Sequence, residues 1–280
     1  GRRTVLQSTF NYQRRVDYTR TIGNLSYGYF VKVGKYHRWN FNFAEINLVD
    51  AVLSENLFEQ LVQNNDRLLL YRFTDHLTND LRIVHTFNTQ DQKRKQRHIF
   101  FLKTEVEMAG VIPYEIFKRS NATIDNNGSY RINNIPFAHY YRYYVDFRWY
   151  IQLGANQQAV FRVAQGAGLP QQNFSVLPIE KSFFAGGANG IRAWRSRTLG
   201  PGSYSEPSGI KYVQFGDVLF EYNAELRFRI SKTLNGAIFG DGGNIWLLKD
   251  DPTRPGGTFD IRDAYNDVAF GAGIGLRVDL

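Results

Sequence analysis

The stretch Asp217-Val218-Leu219-Phe220-Glu221-Tyr222-Asn223-Ala224-Glu225-Leu226-Arg227-Phe228-Arg229-Ile230 decides the fold. Side chains alternate sides along an extended strand. Val218, Phe220, Tyr222, Ala224, Leu226, Phe228 and Ile230 therefore share one face, and Leu219, Glu221, Asn223, Glu225, Arg227 and Arg229 the other. The run exceeds the roughly 5–6 residues usual for strands of soluble domains and suits the roughly 9–11 that a tilted strand needs to cross a bilayer. The chain ends on the same pattern, with Val268, Phe270, Ala272, Ile274, Leu276, Val278 and Leu280 opposed to Asp267, Ala269, Gly271, Gly273, Gly275, Arg277 and Asp279.

Weaker alternations occur upstream. Tyr143, Val145, Phe147, Trp149 and Ile151 oppose Tyr144, Asp146, Arg148, Tyr150 and Gln152, and Phe100, Leu102, Thr104, Val106 and Met108 oppose Phe101, Lys103, Glu105 and Glu107. Leu25, Tyr27, Tyr29, Val31 and Val33 oppose Asn24, Ser26, Gly28 and Lys32. With further strands near residues 4–13, 36–50, 80–90, 157–168 and 234–247, the chain predicts about ten long strands. One helix is predicted, over Ser54 to Asn64, where Leu57, Phe58, Leu61 and Val62 stand at helical spacing. Turn-forming residues predict loops at Asn121 to Asn134, at Asp250 to Gly257, and over a long glycine-rich stretch from Pro170 to about Ile210. No domain boundary interrupts the pattern, so residues 1–280 read as one unit, a single sheet closed on itself.

Composition limits what such a sheet can do. The 280 residues include no cysteine and a single methionine, which excludes disulfide scaffolds, thiol catalysis, zinc knuckles and iron–sulfur sites. No apolar run reaches the length of a transmembrane helix, and mean hydropathy is −0.39. That excludes a helical membrane protein and not a β-barrel, whose strands average out polar. The chain is nevertheless rich in aromatics, with 22 Phe, 17 Tyr and 4 Trp. Its net charge of +8 is dispersed along the strands. The one dense basic run, Lys93, Arg94, Lys95, Arg97 and His98, lies in a turn and reads as a solvated loop, with no stripe for nucleic acid.

Alternation shows that one face is apolar without saying which solvent it meets; a soluble sandwich or lipocalin-like barrel also alternates. Three features favour a membrane: strand length, charges of both signs on the polar faces such as Lys103, Glu105 and Glu107, and aromatics near strand ends. Tyr140, Tyr141, Tyr143 and Tyr144 are expected to form part of an interfacial girdle.

Chemistry of the bond-making kind finds little support. The histidines at 37, 76, 85, 98 and 139 show no metal-ligand spacing, and no Ser/His/Asp set can be argued. Gly271-x-Gly273-x-Gly275 lacks the helix of a nucleotide fingerprint; its glycines share one strand face, where small residues leave room for something packed inside a barrel. Glu221 and Glu225 read as charge partners of strand arginines. No cofactor is expected.

The feature that a bland surface loop does not need is Phe183-Phe184-Ala185-Gly186-Gly187-Ala188-Asn189-Gly190-Ile191-Arg192-Ala193-Trp194, followed by Leu199-Gly200-Pro201-Gly202. A glycine-rich approach to one arginine beside an aromatic delivers a charge on a closely packed backbone. Ile191-Arg192-Ala193-Trp194 resembles the Val/Ile-Arg-Gly-Phe/Tyr tip of the sixth extracellular loop in the BamA/TamA outer-membrane assembly superfamily, also called the bacterial surface antigen family. Three later elements resemble that family in order and spacing: Glu225 in Asn-Ala-Glu-Leu-Arg-Phe, Phe239-Gly240-Asp241-Gly242-Gly243 against the Phe-x-Asp-x-Gly signature, and the glycine-rich strand Gly271 to Arg277. The resemblance covers the C-terminal part of the chain; the upstream strands agree in type. The wording around the loop is most similar to the TamA-like branch. Ala193 departs from the family's glycine, losing the positive-φ option and adding a methyl.

The resemblance implies an all-β, transmembrane antiparallel barrel of the outer-membrane type in a bacterial cell outer membrane. Residues 170–212 would be the loop that folds back into the lumen. There Arg192 would pair with Glu225 and Asp241, supported by Phe239 and Gly243 on the wall and by Gly186, Gly187, Ile191, Ala193 and Trp194 in the loop. Strand parity agrees: Glu225 lies on the charged face, and Asp241 shares a face with Phe239 and Gly243. The family has about sixteen strands, so this chain would hold about ten or eleven of them, a fragment without the seam strands or the preceding periplasmic modules. The implied role is assembly or translocation of other outer-membrane or surface proteins, without enzymatic activity. Its implied partners are outer-membrane lipids, unfolded β-barrel or surface-protein substrates, and periplasmic or inner-membrane subunits. The alternative is a passive pore or structural barrel in which Arg192 only locks a plug.

Overall fold

In the computed structural model, residues 1–14, 18–91, 96–126, 128–205 and 213–278 are described. The basic residues Lys93, Arg94 and Lys95, the 206–212 end of the long loop, and Asp279 and Leu280 lie outside them. Ten strands form one antiparallel sheet: β1 (Arg2–Arg14), β2 (Tyr18–Val33), β3 (His37–Leu53), β4 (His76–Asn88), β5 (His98–Ala109), β8 (Tyr140–Gly154), β9 (Gln157–Pro170), β10 (Val218–Arg229), β11 (Leu234–Trp246) and β12 (Ala269–Val278). Each pairs with its sequence neighbour in that order, the up-and-down topology of an outer-membrane barrel. Strands run from 10 to 17 residues, long enough to cross a bilayer at a tilt. The edges β1 and β12 are not paired with each other; the sheet is open, a partial barrel.

Burial is inverted relative to a water-soluble protein, and this identifies the solvent. On the outward face of the interior strands Val106 is 46%, Phe161 43% and Val163 41% exposed, while the inward face buries Asp241 at 0% and Glu107 at 2%. Water would penalise the first arrangement and offer nothing for the second; a hydrocarbon exterior around a polar interior favours both. Phe220 and Leu226 of β10 are exposed, and among the described residues β10 pairs with β9 and β11 and no second sheet covers that face. Ala224 stands at the middle of this outward row, opposite Phe161 and Gly240. Ala224→Arg is therefore expected to cost about 2–4 kcal/mol near the bilayer midplane, read as a lower urea midpoint for unfolding in liposomes.

Short turns join β2 to β3, β8 to β9 and β10 to β11, whereas the long loops that follow β3, β5, β9 and β11 lie at the opposite rim. The helix α1 (Glu55–Gln63) falls where the sequence predicts it, started by Ser54, whose hydroxyl accepts from the Leu57 amide. Two more helices correct the expectation of one. α2 (Arg67–Arg72) is a short turn of helix begun by Asp66, which accepts from the Leu69 amide. α3 (Val111–Arg119) carries Pro113 in its first turn and buries no residue. Neither has a core stripe long enough to show a helical period. A small hairpin of β6 (Arg131–Ile132) and β7 (Ile135–Pro136) interrupts the loop predicted over Asn121 to Asn134.

The largest apolar cluster lies under the long-loop rim, made by Tyr18, Leu57, Leu61, Leu69, Phe73, Ile179, Phe215 and Leu247. Phe215 sits between two guanidinium groups, Arg72 at 4.3 Å and Arg254 at 4.8 Å from its ring centre. Arg72 pairs with Asp217 at 2.7 Å and also donates to the Ser182 hydroxyl and the Leu177 carbonyl. Arg254 pairs with Asp66 and Asp251, each at 2.7 Å. Three loops are thereby tied into one cap.

The girdle expected from Tyr140, Tyr141, Tyr143 and Tyr144 is half right. Tyr141 and Tyr143 face outward and are exposed. Tyr140 is fully buried inside, donating to Glu107 at 2.5 Å, and Tyr144 lies against Phe183 of the loop. Neighbours on a strand take opposite faces, so a run of adjacent tyrosines cannot line one belt.

Candidate functional site, a loop tip seated on the barrel wall

β10, β11 and β12 build the wall through their register. Glu225 stands beside Phe239, and Phe239 beside Gly273; one step along, Asn223 stands beside Asp241 and Asp241 beside Gly271. Every one of these residues belongs to the inward row. The glycines of β12 leave the space that larger neighbours use: a Cβ on Gly273 would lie 2.8 Å from the Phe239 ring, and one on Gly271 2.5 Å from the Ala193 Cβ. Gly243 has φ +144° and a Cβ there would strike the Phe220 carbonyl, so β11 needs glycine at that position.

The loop tip is held by its own turn. Gly186 and Gly187 have φ of +90° and +97°, which lets the Gly187 amide donate to the Trp194 carbonyl at 2.9 Å and close the segment between them. Ile191 is fully buried in a cluster with Phe183, Ala185, Leu199, Leu219 and Ile245, against which Trp194 packs. These anchors fix the backbone on either side of Arg192. Ala193 takes no positive φ; its methyl fits because Gly271 faces it.

Arg192 then meets the wall with its full donor fork. Nε donates to Asp241 Oδ2 and Nη2 to Asp241 Oδ1, both at 2.7 Å, and Nη1 donates to Glu225 Oε2 at 2.5 Å. The Arg192 amide adds a bond to Asp241 Oδ2 at 3.1 Å. The guanidinium carbon lies 3.4 Å from the centre of the Phe239 ring. Its planar, bidentate geometry matches a carboxylate as a lysine ammonium does not. Asn223 donates to Asp241 Oδ1 and to the Gly190 carbonyl, both at 2.9 Å, and Arg227 occupies the other oxygen of Glu225 at 2.6 Å. No carboxylate oxygen of the pair is left bare.

Sequence reading missed one extension of this network and one separate ion-pair group. Arg162 of β9 bridges Asp146 and Glu221, each at 3.0 Å, and reaches the Asn189 carbonyl at 3.4 Å. Glu221 is thus paired across strands and not along its own. Upstream in the loop, Lys181 lies between Asp80 of β4 and Glu107 of β5. Burial pushes the Lys181 ammonium down, and the two carboxylates more than reverse this, holding it above its ordinary value and charged. Only the charged faces of β5, β8 and β10, with Glu107, Asp146 and Glu221, signalled these partners. Among the described residues no group of three or more His, Asp or Glu side chains could hold a metal ion. His37 and His85 meet each other at 3.1 Å without a further ligand.

A largely antiparallel sheet, lipid-facing outside and charged inside, with a loop arginine seated on inward carboxylates, defines an outer-membrane-type β-barrel with a lumen-docked loop. The chain belongs to the Omp85 superfamily, whose domain it matches over residues 3–280. It is similar in structure to BamA from Haemophilus ducreyi lacking POTRA domains 1–3, at TM-score 0.62 and 15% identity over 97% of this chain and 51% of that one. It is also similar to CdiB from Escherichia coli, at TM-score 0.53 and 10% identity over 98% of this chain and 42% of that one. The chain therefore spans about half the length of these relatives. No curated protein matches it.

Proposed function

We propose that the protein carrying this chain is an assembly or translocation factor of the bacterial outer membrane, which helps insert or export other barrel or surface proteins. The observation that carries this reading is the seating of Arg192 on Asp241 and Glu225, with Phe239 below it and glycines opposite. A passive pore gains nothing from a loop that fills its own lumen. An assembly factor needs a barrel wall that is closed at rest and can be rearranged.

The mechanism is physical. A weakly paired strand edge offers unsatisfied amide and carbonyl groups on which an incoming strand can form, and the thinned bilayer beside it lowers the insertion barrier. We assign that edge to seam strands of the complete protein, and to this chain the wall and the loop that hold the lumen shape. We assign residues 170–212 as the docking loop, Arg192, Glu225 and Asp241 as its lock, and Gly186, Gly187, Ile191, Ala193, Trp194, Phe239 and Gly243 as the residues that shape the lock. The branch proposed is TamA-like. The partners proposed are outer-membrane lipids, unfolded client proteins and periplasmic or inner-membrane subunits. Neither cofactor nor nucleic acid has a part in it.

Depletion of the protein tests the reading. The levels of folded outer-membrane barrels or surface proteins are expected to fall; unchanged levels of all of them would return the chain to the class of passive pores.

A further inference from the structure

The tip is not the loop's only station on the wall. At Lys181 the loop reaches the opposite part of the sheet, where the ammonium lies 3.0 Å from Asp80 and also contacts Glu107. Tyr140 of β8 donates to Glu107 at 2.5 Å, and Arg142, also of β8, donates to the Lys181 carbonyl at 3.0 Å. The preceding residue, Glu180, accepts from His76 of β4 at 2.6 Å. None of these residues contributes to the Arg192 station, which uses β10 and β11. Between the stations lies the apolar cluster of Phe183, Ala185, Ile191 and Leu199 on Leu219 and Ile245. The loop is thus a strap across the lumen, ion-bonded at both ends of its inserted part.

We propose that Lys181 is a second lock, a positioning residue that with Asp80 and Glu107 keeps the loop in the lumen when Arg192 is released. The proposal rests on the assignment of the loop as a lumen plug. The two stations share no partner, so their contributions add and their effects on the seating equilibrium multiply. Each removes a cation from two buried carboxylates, worth roughly 100-fold or more in that equilibrium. One station alone therefore keeps the strap seated, and loss of both raises the unseated population roughly 10,000-fold. The lumen opens when the β4–β5 wall and the β10–β11 wall let go together.

The test is single-channel conductance of the complete protein in planar bilayers, without client. Lys181→Met and Arg192→Ala are expected to show rare openings each, and the double variant sustained large openings; Lys181→Arg is expected to restore the closed state. A double variant that conducts no more than Arg192→Ala alone would overturn the second lock. If Lys181→Met fails to reach the folded, heat-modifiable form, the Lys181→Gln/Asp80→Asn pair, which keeps polar contacts and removes charge, carries the same comparison. Conductance is read without client assembly, so failure of the second lock appears there, and failure of the assembly reading appears in the depletion experiment.

Discussion

Arg192→Glu is expected to unseat the loop tip and to abolish client assembly while leaving the sheet folded. The substitution replaces a guanidinium held by two carboxylates with a third negative charge over the face of Phe239. Asp241 is wholly buried and Arg192 is 24% exposed, so water reaches the arginine but not its main partner. Removing one member of a buried pair costs roughly 3–5 kcal/mol. Partial exposure moves Arg192→Ala toward the lower end of that range, and charge reversal moves Arg192→Glu toward the upper. Arg192→Lys keeps the charge and loses the fork, and is expected to fall between wild type and alanine. The measurement is protease cleavage at the tip, within residues 186–194, from outside intact cells, with the Lys181 end of the loop still protected and heat-modifiable migration as the control for a folded barrel. Equal protection of wild type and Arg192→Glu would show that the pair does not hold the tip.

Arg72→Met is expected to give the largest loss of stability. Its side chain is 1% exposed and joins Asp217, Ser182 and the Leu177 carbonyl, with Phe215 stacked on its face. Methionine fills much of the space but leaves the Asp217 carboxylate buried with one fewer cation, a loss of about 3–5 kcal/mol, to which the cation–π contact adds up to about 2 kcal/mol. Because Asp217 immediately precedes β10 and accepts from the Leu248 amide, the damage should spread to the start of β10 and the end of β11. Hydrogen exchange is expected to show lost protection at Val218 to Phe220 and at Ile245 to Leu247. Loss confined to α2 would mean that Arg72 serves its own helix alone.

The strands were legible because alternation is a local signal: Val218 to Ile230 announces its two faces without knowledge of any neighbour. The two faces also explain the composition, since aromatics crowd the outward rows while charge and glycine crowd the inward ones. The same parity put Glu225 on the charged face of its strand and Asp241 on one face with Phe239 and Gly243; that these faces line the lumen was implied by the family resemblance. That Arg192 should reach them was implied by the resemblance of its loop to a family and by no spacing in the chain, since residues 192, 225 and 241 are joined only by tertiary structure. For Lys181, Arg72 and Arg254 no such guide existed. Each is a single cation in a loop or short helix with a carboxylate in a remote segment, 188 residues away for Arg254 and Asp66, although Arg254 also has Asp251 three residues before it. The helices α2 and α3 were hidden by brevity, and Tyr140 was misplaced because residue type was weighed above its phase on the strand.

The central claim is that a loop seated by Arg192 inside this barrel serves the assembly of other outer-membrane proteins. Its most direct measurement is the folding rate of an unfolded outer-membrane barrel client in liposomes containing the purified complete protein, compared with empty liposomes and with the Arg192→Glu variant. The account predicts acceleration by the wild type and a rate near that of empty liposomes with the variant. Equal rates in wild-type and empty liposomes would contradict it.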